Sequence, residues 1–213
     1  MADASQRGAG REPTVPVVHV VDDEADVRDA IGLLIRSMGL RVTTHASAGE
    51  FFDAYPPDSP GCLVLDVRLP GMSGLEMQAE LARRGVHLPV VFISGHGDIP
   101  MAVRAVRAGA LDFLEKPFSD QALLDCVQRA LDRDAELRSE RQAQAEVRAR
   151  LERLTPREHE VLEHLIQGKV NKIIARELDL STRTVEIHRA RVLHKMGAAN
   201  VSQLVRQVMS IRD

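Results

Sequence analysis

Asp66 ends the apolar run Cys62-Leu63-Val64-Leu65 and is followed by Arg68-Leu69-Pro70-Gly71, a turn that lifts its carboxylate from a buried strand into a loop. This presents a nucleophilic oxygen at the carboxyl edge of a sheet, where α/β folds place their chemistry. A second acidic cluster, Asp22-Asp23-Glu24, ends the strand-like run Val17-Val18-His19-Val20-Val21. If the two strands are neighbours, Asp22, Asp23 and Asp66 converge. Carboxylates that close repel unless a hard cation joins them, and Mg²⁺ is the usual choice.

The elements that must position these groups alternate. Short apolar runs near 17–21, 41–45, 62–66, 89–93 and 111–114 read as strands, and the stretches between them as helices. Helical spacing is clearest in Ala25 to Met38, with Val27, Ala30, Ile31, Leu34 and Ile35, and in Leu75 to Arg84. Such βα units predict an α/β fold, a doubly wound parallel sheet of five strands with helices on both faces. Ser119 to Leu154 contains neither Gly nor Pro and reads as one long helix. Its first part carries Leu123, Leu124, Val127 and Leu131 on an apolar stripe, whereas Arg133 to Ala145 is polar and lacks sustained heptads, which favours an exposed helical linker over a dimer seam.

Thr155-Pro156-Arg157-Glu158 then supplies an N-cap, a first-turn Pro and both halves of a capping box. A helix to Gln167 follows with Val161, Leu162 and Leu165 inward. A second spans about Val170 to Leu178 with Ile173, Ile174 and Leu178 on its core side. Asp179-Leu180-Ser181 turns the chain into a third, which Gly197 stops after Met196, and a last helix covers about Val201 to Ile211. The group is all-α, four helices that include a helix-turn-helix. On a wheel the third helix puts Val185, Val192 and Met196 on one side. Arg183, Glu186, Ile187, Ala190, Arg191 and His194 lie on the other. An outward Ile187 among charges suits a thymine methyl in a major groove, and Glu186 can accept from a cytosine amino group. Lys169, Asn171, Lys172 and Lys195 are placed for phosphates, which fix register without carrying sequence information. His188 sits nearer the buried side and is expected at the core edge. Arg189 is left between reaching a phosphate and pairing with an acidic neighbour.

Composition narrows the classes. Aromatic content of 3% without Trp requires aliphatic cores, and 213 residues allow one or two domains at roughly 100–200 each. Residues 1–118 hold 11 Lys/Arg against 16 Asp/Glu, whereas 155–213 hold 10 against 7, an asymmetry that points the carboxyl third toward a polyanion. No apolar stretch approaches the roughly 20 residues of a membrane span, and Met1 to Pro13 is polar and Gly-rich rather than signal-like. A cytoplasmic protein with no membrane partner is expected, and Cys62 and Cys126 read as reduced core residues.

Asp22, Asp23, Asp66, Ser94, Phe113 and Lys116-Pro117 occur in the order and spacing of a known family. The first domain resembles the receiver domain of two-component response regulators. Ile93-Ser94-Gly95-His96-Gly97-Asp98-Ile99-Pro100 and Ala110-Leu111-Asp112-Phe113-Leu114-Glu115-Lys116-Pro117-Phe118 resemble its FixJ-type branch in particular. The stretches Leu154 to Leu162, Asn171 to Ala175, Ser181 to His188 and Lys195 to Gly197 resemble the LuxR-type DNA-binding domain. The resemblance implies that Asp66 is the phosphoacceptor, that Asp23, Asp66 and the backbone carbonyl of Arg68 ligate Mg²⁺, and that Asp22 acts through a coordinated water. Lys116 would pair with the phosphate, Ser94 would bond one of its oxygens, Phe113 would rotate inward behind it, and Pro117 would follow a cis peptide. Taken singly, each has a structural reading: Asp22 or Asp23 as an N-cap, Ser94 as a turn hydroxyl, Lys116 as a loop charge, Phe113 as a core aromatic.

The resulting expectation is a flexible start over 1–15, a receiver domain over 16–132, a helical linker over 133–153 and a DNA-binding domain over 154–213. Its partners would be a sensor histidine kinase, promoter DNA with an inverted repeat, the transcription machinery and, once phosphorylated, a second copy joined through the α4-β5 face near Ile99 to Ala108 and Leu111 to Leu114. It would be no enzyme beyond its own phosphorylation and dephosphorylation. An aspartate-nucleophile phosphatase is the rival from another class, but such enzymes want a second Asp two residues after the nucleophile, where this chain has Arg68. A regulator acting on RNA or on a protein is the other, disfavoured by the four-helix pattern.

Overall fold

Near-continuous Val, Ile and Leu runs cannot hide their side chains on one face, so they form strands covered on both sides. The computed structural model describes residues 15–95 and 99–212; the expected flexible start falls, up to residue 14, outside the described residues, as do His96, Gly97 and Asp98. By its internal contacts the chain forms two units, Met1–Glu136 and Leu137–Asp213.

In the first unit β1 (Val17–Val21), β2 (Arg41–His45), β3 (Gly61–Asp66), β4 (Val90–Ser94) and β5 (Asp112–Glu115) form one parallel sheet of order β2-β1-β3-β4-β5. Helices α1 (Ala25–Ser37), α2 (Ala48–Ala54), α3 (Gly74–Arg83), α4 (Ile99–Arg107) and α5 (Asp120–Leu151) follow the strands in turn. Because side chains alternate along a strand, Leu63 and Leu65 enter one core with Phe51, Met77 and Phe92. Cys62 and Val64 enter the other with Ile31, Ile35, Leu123 and Val127. Both cysteines are free and buried, as expected. Strand order reverses between β1 and β3, and Val21 pairs with Leu65. Asp22 and Asp66 therefore leave neighbouring strand ends at the switch point.

Backbone approach fixes the opposite end of β3. Gly61 has φ of +150°, and a Cβ there would lie 1.9 Å from the carbonyl oxygen of Val17. The Gly61 N–H donates to Asp134 Oδ2 at 2.8 Å, so α5 holds the start of β3 with a buried carboxylate. Asp134 belongs to the stretch expected to be an exposed linker. One helical turn beyond Ala130 and Leu131, it continues their buried stripe.

In the second unit the end of α5 joins α6 (Pro156–Ile166), α7 (Asn171–Glu177), α8 (Thr182–Met196) and α9 (Val201–Met209). Val147, Val161, Leu162, Leu165, Ile174, Val185, Val192, Met196, Leu204 and Val208 are its buried core. The Thr155–Glu158 capping box starts α6, Ser181 caps α8, and Gly168 and Gly197 take positive φ at the helix ends. One core assignment changes. Ile173 is 40% exposed, whereas Ile174 and Ala175 are buried. Adjacent positions lie about 100° apart on a helix, and in a helix this short only one of the two isoleucines can face inward. No helix of the described residues is long and apolar enough to cross a membrane.

His19 and His45 are buried beside Phe51 and Tyr55, with the two imidazoles stacked and His19 Nδ1 2.8 Å from Thr43 Oγ1. Burial, with His45 adding to it, lowers the His19 pKa from 6.5 to about 4. Between those values the unfolded chain binds a proton that the folded chain refuses, so stability falls as pH is lowered through that window. Urea unfolding of the protein at pH about 5 is expected to give about 2 kcal/mol less stability than at pH about 7 from this group. His19→Phe is expected to flatten that dependence, and an unchanged slope in the variant would place its origin elsewhere.

Candidate functional site

Asp66 is 6% exposed at the end of β3. Its Oδ2 accepts the Arg68 N–H at 2.8 Å, and its Oδ1 lies 3.2 Å from Lys116 Nζ. The same ammonium lies 2.8 Å from Asp22 Oδ2 and 3.8 Å from Glu24 Oε1. Asp22 is fully buried; its Oδ1 accepts the Glu24 N–H at 2.9 Å and its own N–H donates to the His45 carbonyl. Burial pushes the Asp66 carboxyl above the ordinary range, with Asp22 adding to the shift and Lys116 and the Arg68 N–H opposing it. Burial works against the Lys116 ammonium, yet Asp22 and Asp66 together hold its pKa above the usual lysine value.

Asp22, Asp66 and Lys116 are therefore one cluster. Ser94 is buried at the end of β4, and its carbonyl accepts the Lys116 N–H at 2.8 Å. The Lys116–Pro117 peptide is cis, as the resemblance implied. Phe113 pairs with Phe92 across β4 and β5 and packs half-buried on the core, its N–H donating to Asp112 Oδ1. The Asp23 side chain is exposed, whereas those of Asp22 and Asp66 are buried. Among the described residues no three His, Cys, Asp or Glu side chains form a group ready to hold a metal. The Lys116 ammonium takes the neutralising position between the two buried acids.

Sequence reasoning missed Gly74. A Cβ at this first residue of α3 would lie 2.4 Å from the Asp66 carbonyl oxygen and 3.0 Å from the Phe92 ring. The Gly74 N–H also donates to the Val67 carbonyl at 3.0 Å. The Ser73–Glu76 capping box fixes this helix start, so the loop carrying Asp66 is seated against a helix that must begin with glycine. The Ser73-Gly74-Leu75-Glu76 pattern was the available signal.

In the second unit Arg183, Glu186, Ile187, Ala190, Arg191 and His194 all lie exposed on one side of α8, opposite the buried Val185, Val192 and Met196. Ile187 is 46% exposed. The expected phosphate anchors divide. Lys172 is exposed at the start of α7. Lys169 binds Glu177 and His164, and Lys195 donates to Glu158 at 2.6 Å and to the Arg153 carbonyl at 3.0 Å. Asn171 Oδ1 accepts from Arg189 Nη1 at 3.1 Å, so Arg189 pairs with an amide rather than an acid. His188 is half-buried, with a buried Nδ1 that has no hydrogen-bond partner among the described residues.

Known proteins carry both arrangements. Residues 18–128 match the response regulator receiver domain family, and residues 152–208 match bacterial regulatory proteins of the luxR family. The transcriptional regulatory protein FixJ of Azorhizobium caulinodans is 49% identical over 192 residues, covering 90% of this chain and 91% of that protein. Nodulation protein W of Bradyrhizobium diazoefficiens is 46% identical over 201 residues, 94% of this chain and 88% of that one. Among solved structures, the response regulator StyR is similar with a TM-score of 0.80 and 44% identity over 92% of this chain and 98% of its own. Full-length FixJ from B. japonicum gives 0.57 and 41% over 93% and 98%. An acidic pair at the switch point of the sheet and an exposed polar helix face in a four-helix unit thus have one common context: this chain belongs to the two-component response regulators, with a receiver domain and a LuxR-type DNA-binding domain that regulates transcription.

Proposed function

We infer that Asp66 is the phosphoacceptor and that its charge state governs binding of the carboxyl-terminal domain to promoter DNA. The observation that carries this reading is the buried Asp66 carboxylate sharing one ammonium, Lys116, with the equally buried Asp22. A carboxylate is a weak nucleophile toward an anionic phosphoryl group, so positioning and charge neutralisation supply most of the rate. In the transfer, the P–N bond to a sensor kinase imidazole breaks as a P–O bond to an Asp66 oxygen forms, and the electron pair leaves on the imidazole nitrogen. Lys116 pairs with the phosphoryl oxygens, Ser94 donates to one of them, and Phe113 turns inward behind Ser94.

The donors here fit Mg²⁺: oxygens of Asp22, Asp23, Asp66 and the Arg68 carbonyl are hard, and two buried carboxylates against one ammonium leave negative charge uncompensated. When bound, the ion draws charge from the transferring phosphoryl oxygens. On α4 and just before β5, Val103, Val106 and Leu111 are exposed apolar residues, which supports pairing of two phosphorylated copies through that face. Two copies present their α8 helices to half-sites about one DNA turn apart, hence an inverted repeat. Arg183, Glu186, Ile187, Ala190, Arg191 and His194 face the groove, and Lys172 meets the backbone, whereas Lys169, Asn171 and Lys195 are held by Glu177, Arg189 and Glu158. The assignments extend to a receiver over 16–132, a helical linker over 133–153, a DNA-binding domain over 154–213, and work in the cytoplasm as an activator of transcription.

Asp66→Asn is expected to abolish labelling by acetyl phosphate and to remove the gain in DNA affinity that the reagent gives the wild-type protein. Equal labelling of the variant receiver domain would refute the site. Gly74→Ala, which must push the Asp66 loop aside, is expected to slow labelling about ten- to a hundredfold while circular dichroism stays unchanged. Arg191→Ala is expected to weaken binding to genomic fragments selected by the phosphorylated protein about tenfold and to leave labelling intact. An unaltered electrophoretic shift would show that this face of α8 does not meet DNA.

A further inference from the structure

We propose that Arg28 is the positioning residue of the acidic loop, holding its backbone so that the Asp23 carboxylate is preset for the divalent ion. This rests on the reading of that loop as the Mg²⁺ site. Arg28 lies in the first turn of α1, half-buried, and its Nη1 donates to the Asp22 carbonyl at 2.7 Å and to the Asp23 carbonyl at 3.3 Å. These two carbonyls are the only described partners of its guanidinium. An arginine beside Asp22, Asp23 and Glu24 would be expected to pair with a carboxylate. It is committed to the main chain instead.

The need for such a clamp follows from how unequally the two aspartates are held. Asp22 is fixed by its own N–H on His45, by the Glu24 N–H on one carboxylate oxygen and by Lys116 on the other. The Asp23 carboxylate is exposed and receives no donor from the described residues. Its direction is therefore set by its backbone alone, and Arg28 is the side chain that grips that backbone. Groups that orient a ligand without touching the metal typically change affinity about ten- to a hundredfold when removed. Both bonds leave the one nitrogen Nη1, which the planar guanidinium holds in a fixed orientation that a lysine ammonium on a flexible stem keeps less well.

The sign of the effect separates positioning from charge. Removing a cation beside an acidic loop would by electrostatics alone strengthen Mg²⁺ binding. Loss of the clamp weakens it. The test is calorimetric titration of the full-length protein with MgCl₂, for wild type, Arg28→Gln and Arg28→Lys, alongside acetyl-phosphate labelling across Mg²⁺ concentrations. We expect Arg28→Gln to weaken Mg²⁺ binding about tenfold or more, Arg28→Lys to fall between it and wild type, and saturating Mg²⁺ to restore labelling of both to about the wild-type rate. Unchanged or tighter binding in Arg28→Gln, or a labelling deficit that saturating Mg²⁺ does not recover, overturns the proposal. If Arg28→Gln does not fold, Arg28→Lys binding as tightly as wild type overturns it, and weaker binding rescued by saturation supports it. Wild-type protein that gives no Mg²⁺ isotherm overturns the underlying metal site as well, an outcome distinct from variants that bind like wild type.

Discussion

Two carboxylates removed from water at neighbouring strand ends and held by a single ammonium set the character of the receiver domain. Parallel pairing of β1 with β3 puts Asp22 and Asp66 side by side, and the strand crossing that makes this a switch point leaves their edge of the sheet uncovered. Lys116 reaches them from the end of β5, where its own N–H is tied to the Ser94 carbonyl. A change of charge on Asp66 therefore acts on a lysine whose backbone is part of the β4–β5 edge. The path from the acid to the far strands of the sheet is one side chain long. Gln78 of α3, in turn, donates to the Ala108 carbonyl just beyond α4, a polar contact that tethers the far end of that helix.

What was legible in the sequence was whatever depends on period and on turn chemistry. Central strands announce themselves as unbroken Val and Leu runs, and acids at their carboxyl ends follow from where the runs stop. The same logic found the Thr155–Glu158 capping box, the stop at Gly197, and both faces of α8. Side-chain pairing across elements carries no period. That Lys169 is taken by Glu177, Lys195 by Glu158 and Asn171 by Arg189 depends on distances between helices that no local pattern encodes. Arg28, Gly61 and Gly74 were missed for a related reason: the two glycines each matter through a backbone oxygen that tertiary structure brings near, and Arg28 through two carbonyls five and six residues before it.

The same interaction type, a lysine on a buried acid, recurs in the DNA-binding domain with different stoichiometry. Glu158 caps α6 through the Thr155 N–H and accepts from Lys195 at 2.6 Å, which binds the end of α8 to the start of α6. The hydrogen bond from Lys195, together with those from Thr155, holds its carboxyl down to about 2. Lys195 is spent on the fold, and the exposed Arg183 and Arg191 carry the outward positive charge of α8. A recognition helix must keep its groove-facing side free while its other side is fixed, and this ion pair does the fixing at the end remote from Ser181.

The contrast in stoichiometry separates a reactive site from a structural one. One acid facing one ammonium, with further donors filling its lone pairs, is satisfied, and its carboxyl is held ionised far below the ordinary range. Two acids facing one ammonium are not. Asp66 keeps its pKa above the ordinary value although Lys116 lies 3.2 Å away, because burial, with Asp22 adding to it, outweighs the ammonium and the Arg68 N–H. Folding tolerates this imbalance because the rest of the sheet is well buried, and the uncompensated charge is what gives the site affinity for a cation. A second lysine at the switch point would remove the deficit and, with it, the reason for a divalent ion to enter. The receiver domain thus retains an electrostatic deficit where chemistry occurs, whereas the DNA-binding domain closes its own and becomes a rigid reader.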